Sequence, residues 1–146
     1  MIMDGIFKIS ELLSVHTQKS ELERKEIELA IPLLTDEKYI SQIFEWFCEL
    51  SGGCNGCAFE LDTDNKMKFL VIILFLYSPA FFTGHRLKNG IRDILAKLFG
   101  YNSGSGVSNH LKDIVQIYNT YKMFREEVFT LYGEIEKRLK DRGLIP

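Results

Sequence analysis

"AKLFGYNSGSGVSNHLK", residues 96–112, decides how this chain is built. Before it, Ile91, Leu95, Leu98 and Phe99 form an apolar stripe with Ala96 beside them, which is helical spacing. Gly100 stands where a glycine ends a helix. After "YNSGSG" (101–106) apolar residues return at Val107, Leu111, Ile114 and Tyr118, three or four apart. The stretch therefore reads as helix, glycine-rich turn, helix. Two core helices joined by a loop would look the same, since that is a common connection in all-α proteins, and Ser or Asn near a helix start are ordinary caps.

The same periodicity covers the rest of the chain. Ile6, Phe7, Ile9, Leu12 and Leu13 predict a short first helix. Ser20, with Glu23 three residues later at capping-box spacing, predicts a second over "ELERKEIELAI" (21–31), ended or bent by Pro32. Thr35 is the expected start of the next, "DEKYISQIFEWFCEL" (36–50), and "SGGCNGC" (51–57) reads as a loop. An apolar helix follows over residues 67–77, then "SPAF" (78–81), a cap with proline at the first helical position, and a turn closed by Gly84. The run from Val107 to Leu139 is the longest periodic one, with a weak point at Asn119-Thr120. The expected fold class is all-α: a compact helical domain with two helices and their turn in the C-terminal half and a long C-terminal helix. One domain is expected over residues 1–146. Residues 1–65 form its acidic helical part, 78–122 the helix-turn-helix region and 121–143 the last helix.

Composition limits the function classes. Hydrophobic residues are 46% and charged residues 26%, an ordinary globular balance. The net charge of -2 conceals an asymmetry. Residues 1–79 hold seven Lys/Arg against thirteen Asp/Glu, and residues 80–146 hold eleven against seven. Within residues 84–122, Arg86, Lys88, Arg92, Lys97, Lys112 and Lys122 face only Asp93 and Asp113. A basic segment of this kind points to an anionic partner.

"FLVIILFL" (69–76), even extended to residue 82, is shorter than the about 20 apolar residues of a membrane span, and it runs into Pro79. A buried core helix is expected, with no membrane partner. "MIMDGIFKISELL" (1–13) lacks the pattern of a secretory leader, so a cytoplasmic location is expected. Cys48, Cys54 and Cys57 are odd in number, and "CNGC" (54–57) has no second pair to complete a zinc site. "GYNSGSG" (100–106) lacks the lysine and Ser/Thr of a phosphate-cradling P-loop, and "ELDTDN" (60–65) lacks the glycine and distal glutamate of a calcium loop. No catalysis, cofactor or metal is expected.

Ala96, Gly100 and the pair Val107-Ser108 resemble the helix-turn-helix DNA-binding families, whose signature is a small residue, a glycine four later, and a β-branched residue opening the recognition helix. The resemblance covers residues 88–121, and its turn, with Gly104 and Gly106, is one residue longer than in the common families. The stretches 87–100 and 107–128 also look like small regulators from bacterial phage and mobile elements. The resemblance implies sequence-specific binding of double-stranded DNA in transcriptional control. Val107 and Leu111 would anchor the second helix, leaving Ser108, Asn109 and Lys112 outward. Asn suits a bidentate pair with adenine. The helix start near Ser105 offers amides to a phosphate. Tyr101, Asn102 and Ser103 would touch the backbone from the turn, and Arg86, Lys88 and Arg92 would position the flanking strand. The helix from Tyr121 to Leu139 approaches a heptad pattern and can pair with its copy as a homodimer. The alternative is a helical protein–protein interaction adaptor that touches no DNA.

Overall fold

The structure is a computed structural model that describes residues 2–52 and 61–146. Among these residues it is all-helical: α1 (Ile2–Leu29), α2 (Ile40–Ser51), α3 (Thr63–Tyr77), α4 (Asn89–Leu98), α5 (Ser105–Thr120) and α6 (Lys122–Asp141), with short 3-10 turns at Glu37–Tyr39 and Pro79–Thr83. No strand occurs among the described residues. The chain divides into two units, Met1–Ile31 and Pro32–Pro146.

The first unit is one continuous helix. The capping-box spacing at Ser20 and Glu23 predicts a helix start there, but the backbone runs through it. Nothing between Leu13 and Leu29 breaks a helix, and the Leu, Glu, Lys and Arg of the later part favour one. Thr17 turns its hydroxyl back onto the Leu13 carbonyl at 3.0 Å instead of ending the turn. α1 stops just before Pro32, as expected. Ile6, Phe7, Ile9, Leu12, Leu13 and Val15 are all more than half exposed.

The second unit is built around α3. Phe69, Leu70, Val71, Ile72, Ile73 and Leu74 are at most 1% exposed, so this helix is enclosed on every side, which is where an apolar segment too short for a membrane belongs. No described helix is long and apolar enough to cross a membrane. α3 starts four residues before Met67 because the Asp62 carboxylate accepts from Asn65 N–H at 2.8 Å, an N-cap within the "ELDTDN" turn. α2, α5 and α6 pack against it. Phe44, Phe69 and Phe99 meet edge to face at centroid distances of 5.0–6.3 Å, and Phe47 tilts against Phe69 at 5.4 Å. Each such pair adds about 0.5–1.5 kcal/mol to the burial of its rings.

Polar tethers hold the surrounding elements in register. Asp36, not Thr35, caps the segment leading into α2 by accepting from Lys38 N–H at 3.0 Å. Tyr77 at the end of α3 donates to the Asp36 carbonyl at 2.6 Å, and burial pushes that phenol's pKa upward. α5 and α6 part at extended Tyr121, beside the weak point at Asn119-Thr120. Arg125 from α6 closes the break by donating to the Tyr118 and Asn119 carbonyls at 2.8 and 2.7 Å. At the far end of α6, Arg142 and Arg138 lie 5.0 and 5.8 Å from the ring of buried Trp46 on α2.

The near-heptad stripe of α6 enters the core of its own unit: Phe124, Val128, Ile135 and Leu139 are buried there, while Tyr121 stands 60% exposed. Periodicity identifies the stripe but cannot distinguish a partner chain from the chain's own α2, α3 and α5.

Lys68 is the charged exception in the core helix. It is 7% exposed and pairs with Asp64 one turn earlier at 2.7 Å and with Glu127 of α6. Burial pushes its pKa down, but hydrogen bonds and charges from the two carboxylates outweigh that and leave it above the usual 10.5. With the folded value raised, the stabilisation is complete below the unfolded value and is lost as pH rises through the folded one. Lys68→Met, which keeps volume and removes charge, is expected to shift stability by less than about 1.5 kcal/mol at neutral pH. Asp64→Asn with Glu127→Gln leaves the ammonium buried among neutral groups and is expected to cost about 1–3 kcal/mol, discounted because both carboxylates are more than half exposed. Urea midpoints check this: between neutrality and about pH 11 the loss should be smaller for Lys68→Met than for the parent chain.

Candidate nucleic-acid interface

The site grows from the turn between α4 and α5. α4 ends in a Schellman motif: Gly100 takes φ 73°, its N–H reaches the Lys97 carbonyl at 3.1 Å, and the Tyr101 N–H reaches the Ala96 carbonyl at 2.8 Å. A β-carbon at position 100 would strain this left-handed backbone. Ala96 is buried, and α4 packs on α5. Ser103 accepts from the Ser105 N–H at 3.4 Å where α5 begins. Val107, Leu111 and Ile114 are then 0%, 8% and 0% exposed, so α5 faces the core on the side the sequence predicts.

Facing α4 across the turn, Ser108 is half-buried while Asn109 and Lys112 are exposed. These three share one open cleft of about 580 Å³ with Ser105 on α5 and with Asn89, Arg92 and Asp93 on α4. A second cleft of about 810 Å³ continues from it, with Arg92, Ser108 and Lys112 in both. Arg86 and His85 lie on the second cleft's rim, over a floor that includes Phe81, Leu87, Leu111 and Val115. Three fixed cations, Arg86, Arg92 and Lys112, therefore converge on the joined groove against one carboxylate, Asp93. Arg92 Nε is buried, and among the described residues no acceptor reaches it.

The structure thus brings Arg86, Arg92, Ser105, Ser108, Asn109 and Lys112 to one groove. Lys88, Asn102 and Ser103 are exposed but line neither cleft. Tyr101 departs from its expected role. It is half-buried, its ring 5.8 Å from Phe99 and stacked 5.9 Å from His110. Its hydroxyl is 2.7 Å from His110 Nε2 and accepts from Lys66 Nζ at 3.3 Å. A phenol so engaged braces the start of α5 from inside and does not reach outward. Burial, with the Lys66 charge, lowers the His110 pKa and favours the neutral ring in this cluster. Asn89 and Asp93 were not among the expected site residues. Asn89 stands three residues before Arg92 and four before Asp93 on α4, and that spacing was the available signal, since residues three or four apart are neighbours on a helix.

No group of three or more His, Cys, Asp or Glu that could hold a metal ion occurs among the described residues. Cys48 is buried in α2, whereas the "CNGC" pair lies outside the described residues. Compared with known protein families, with characterised proteins and with solved structures, the chain gave no match.

The two glycines of the turn differ in kind. A β-carbon at Gly106 would sit 2.6 Å from Tyr101 Cδ2, whereas one at Gly104 would meet the flexible Arg92 chain at 2.9 Å. Gly→Ala inside a helix ordinarily stabilises by roughly 0.5–1 kcal/mol. Gly106→Ala should reverse that sign and cost about 1–3 kcal/mol by forcing an aromatic ring aside. Thermal unfolding should show Gly104→Ala near neutral, and Tyr101→Leu should absorb most of the Gly106→Ala penalty in the double variant.

Proposed function

We propose that the protein binds double-stranded DNA sequence-specifically through the α4–turn–α5 unit, in transcriptional control. The observation that carries this reading is the shared groove. Val107 and Leu111 hold α5 by its inner face, and Ser108, Asn109 and Lys112 come together outside with Arg92 and Arg86 around them. Asn109 is the base-reading side chain, because its amide can donate to and accept from one adenine edge. Arg86, Arg92 and Lys112 meet phosphates and fix the register, as the cations of such interfaces do. The start of α5, exposed at Ser105, adds backbone amides to the same anionic strand. Asp93 sits on the rim as a repulsive charge that penalises a misplaced phosphate.

A second reading, the helical adaptor, draws on a different observation. Ile6, Ile9, Leu12 and Leu13 of α1 lie three or four residues apart on one side of the helix and are exposed, and such an apolar strip marks an interaction face.

Mobility shifts on random and selected duplexes separate the two. DNA binding predicts retention that weakens with salt, with Lys112→Ala lowering the log–log salt slope by about one and weakening all sequences alike. Asn109→Ala should cost about 1–3 kcal/mol on the preferred sequence and little on random duplex. Both side chains are exposed, so neither change should unfold the chain. Retention that is absent, or indifferent to both substitutions, supports the adaptor.

A further inference from the structure

The two halves of the groove differ in chemistry. The first cleft is lined mainly by polar groups of α4 and α5. The second, between the 81–87 segment and α5, presents more apolar than polar wall. Leu87 and Leu111 form its base, almost fully buried, and half-buried Phe81 and Val115 flank them. Of its cations, Arg92 and Lys112 also line the first cleft, and Arg86 lines the second alone. Its volume of about 810 Å³ falls within the range of small-molecule clefts, which pair apolar walls with a few orienting polar groups. A duplex backbone uses the cations but leaves apolar walls wet.

We propose that this second cleft binds a small amphiphilic carboxylate, its apolar body over Phe81, Leu87 and Val115 and its anionic head between Arg92 and Lys112. Arg92 supplies the specific contact. Its side chain lines the cleft with Lys112, and the terminal N–H groups of a guanidinium give a carboxylate two parallel charge-assisted bonds. Arg92, Ser108 and Lys112 line both clefts, so ligand and duplex cannot both use them. This last point rests on the DNA-binding reading. It makes the carboxylate an effector that releases DNA by occupying the same cations.

The test uses the full chain and three probes: 4-phenylbutyrate, the uncharged 4-phenylbutanol, and acetate. Amide chemical shifts are followed in the protein alone, so this measurement does not depend on DNA. Phenylbutyrate should give saturable shifts centred on Leu87, Ser108 and Val115. Phenylbutanol and acetate should each bind at least about tenfold more weakly, since each lacks one of the two recognition elements. Arg92→Gln should weaken phenylbutyrate about tenfold and leave phenylbutanol unchanged, a split that general unfolding would not produce. Equal binding of acid and alcohol, equal binding of acetate, or shifts elsewhere overturn the proposal. In a mobility shift, phenylbutyrate should displace duplex from the wild type. Ligand binding with undiminished retention overturns the effector role. Ligand binding by a chain that retains no duplex at any salt overturns the DNA reading and leaves the cleft's ligand standing.

Discussion

A helix that is apolar on every side must be surrounded, and α3 imposes that requirement on the rest of its unit. Six consecutive residues, Phe69 to Leu74, are almost wholly removed from water. At about 25 cal/mol per Å² of apolar surface buried, no set of surface ion pairs competes with that term. α2, α5 and α6 are the walls, and each gives one stripe to the core. For α5 the stripe is Val107, Leu111 and Ile114. Once those three are inside, helical geometry turns Ser108, Asn109 and Lys112 elsewhere, toward α4. The groove is therefore a by-product of enclosing α3, and its polar residues carry none of the core.

Two close approaches then fix the start of α5. The left-handed Gly100 reverses the chain, and the missing side chain at Gly106 lets the Tyr101 ring lie against the helix. Tyr101, His110 and Lys66 link the turn, α5 and α3 in one small polar cluster. A rigid first turn suits a helix that presents side chains to a partner, because less conformational freedom is lost on binding. Arg92 on α4 and Lys112 on α5 line both the polar and the apolar cleft, and both proposed ligands would engage them.

Much of this was legible in the residues. The stripes of α2, α4 and α5, the glycine stop at position 100, the proline end of α1 and the break before α6 all follow from local chemistry, and the structure has each of them. What was not legible depends on long-range contacts or on competition between local signals. Ser20 and Glu23 have capping-box spacing, yet with no breaker nearby the helix continues through them. Asp36 and Asp62 cap helices that Thr35 and Met67 seemed to open, because a short carboxylate reaches backbone amides well. Tyr101 looks like an outward turn residue until Gly106 and His110, separated from it in sequence, make an interior seat for it. The α6 stripe is a true helical face, but sequence spacing does not say whose core it enters. Of the groove, the α5 side was legible from the anchor pair Val107 and Leu111, while Asn89, Asp93 and the apolar wall at Phe81 and Leu87 required the fold.

The most direct test of the central claim is an amide chemical-shift titration of the labelled chain with a short duplex at low salt. If α5 is anchored inward and the groove is the DNA face, shifts should concentrate at Ser105, Ser108, Asn109 and Lys112 and at Asn89 and Arg92 across the turn. They should fade as salt is raised. Shifts centred on α1 or around Trp46 and Arg142, or no shifts at any salt, would contradict it.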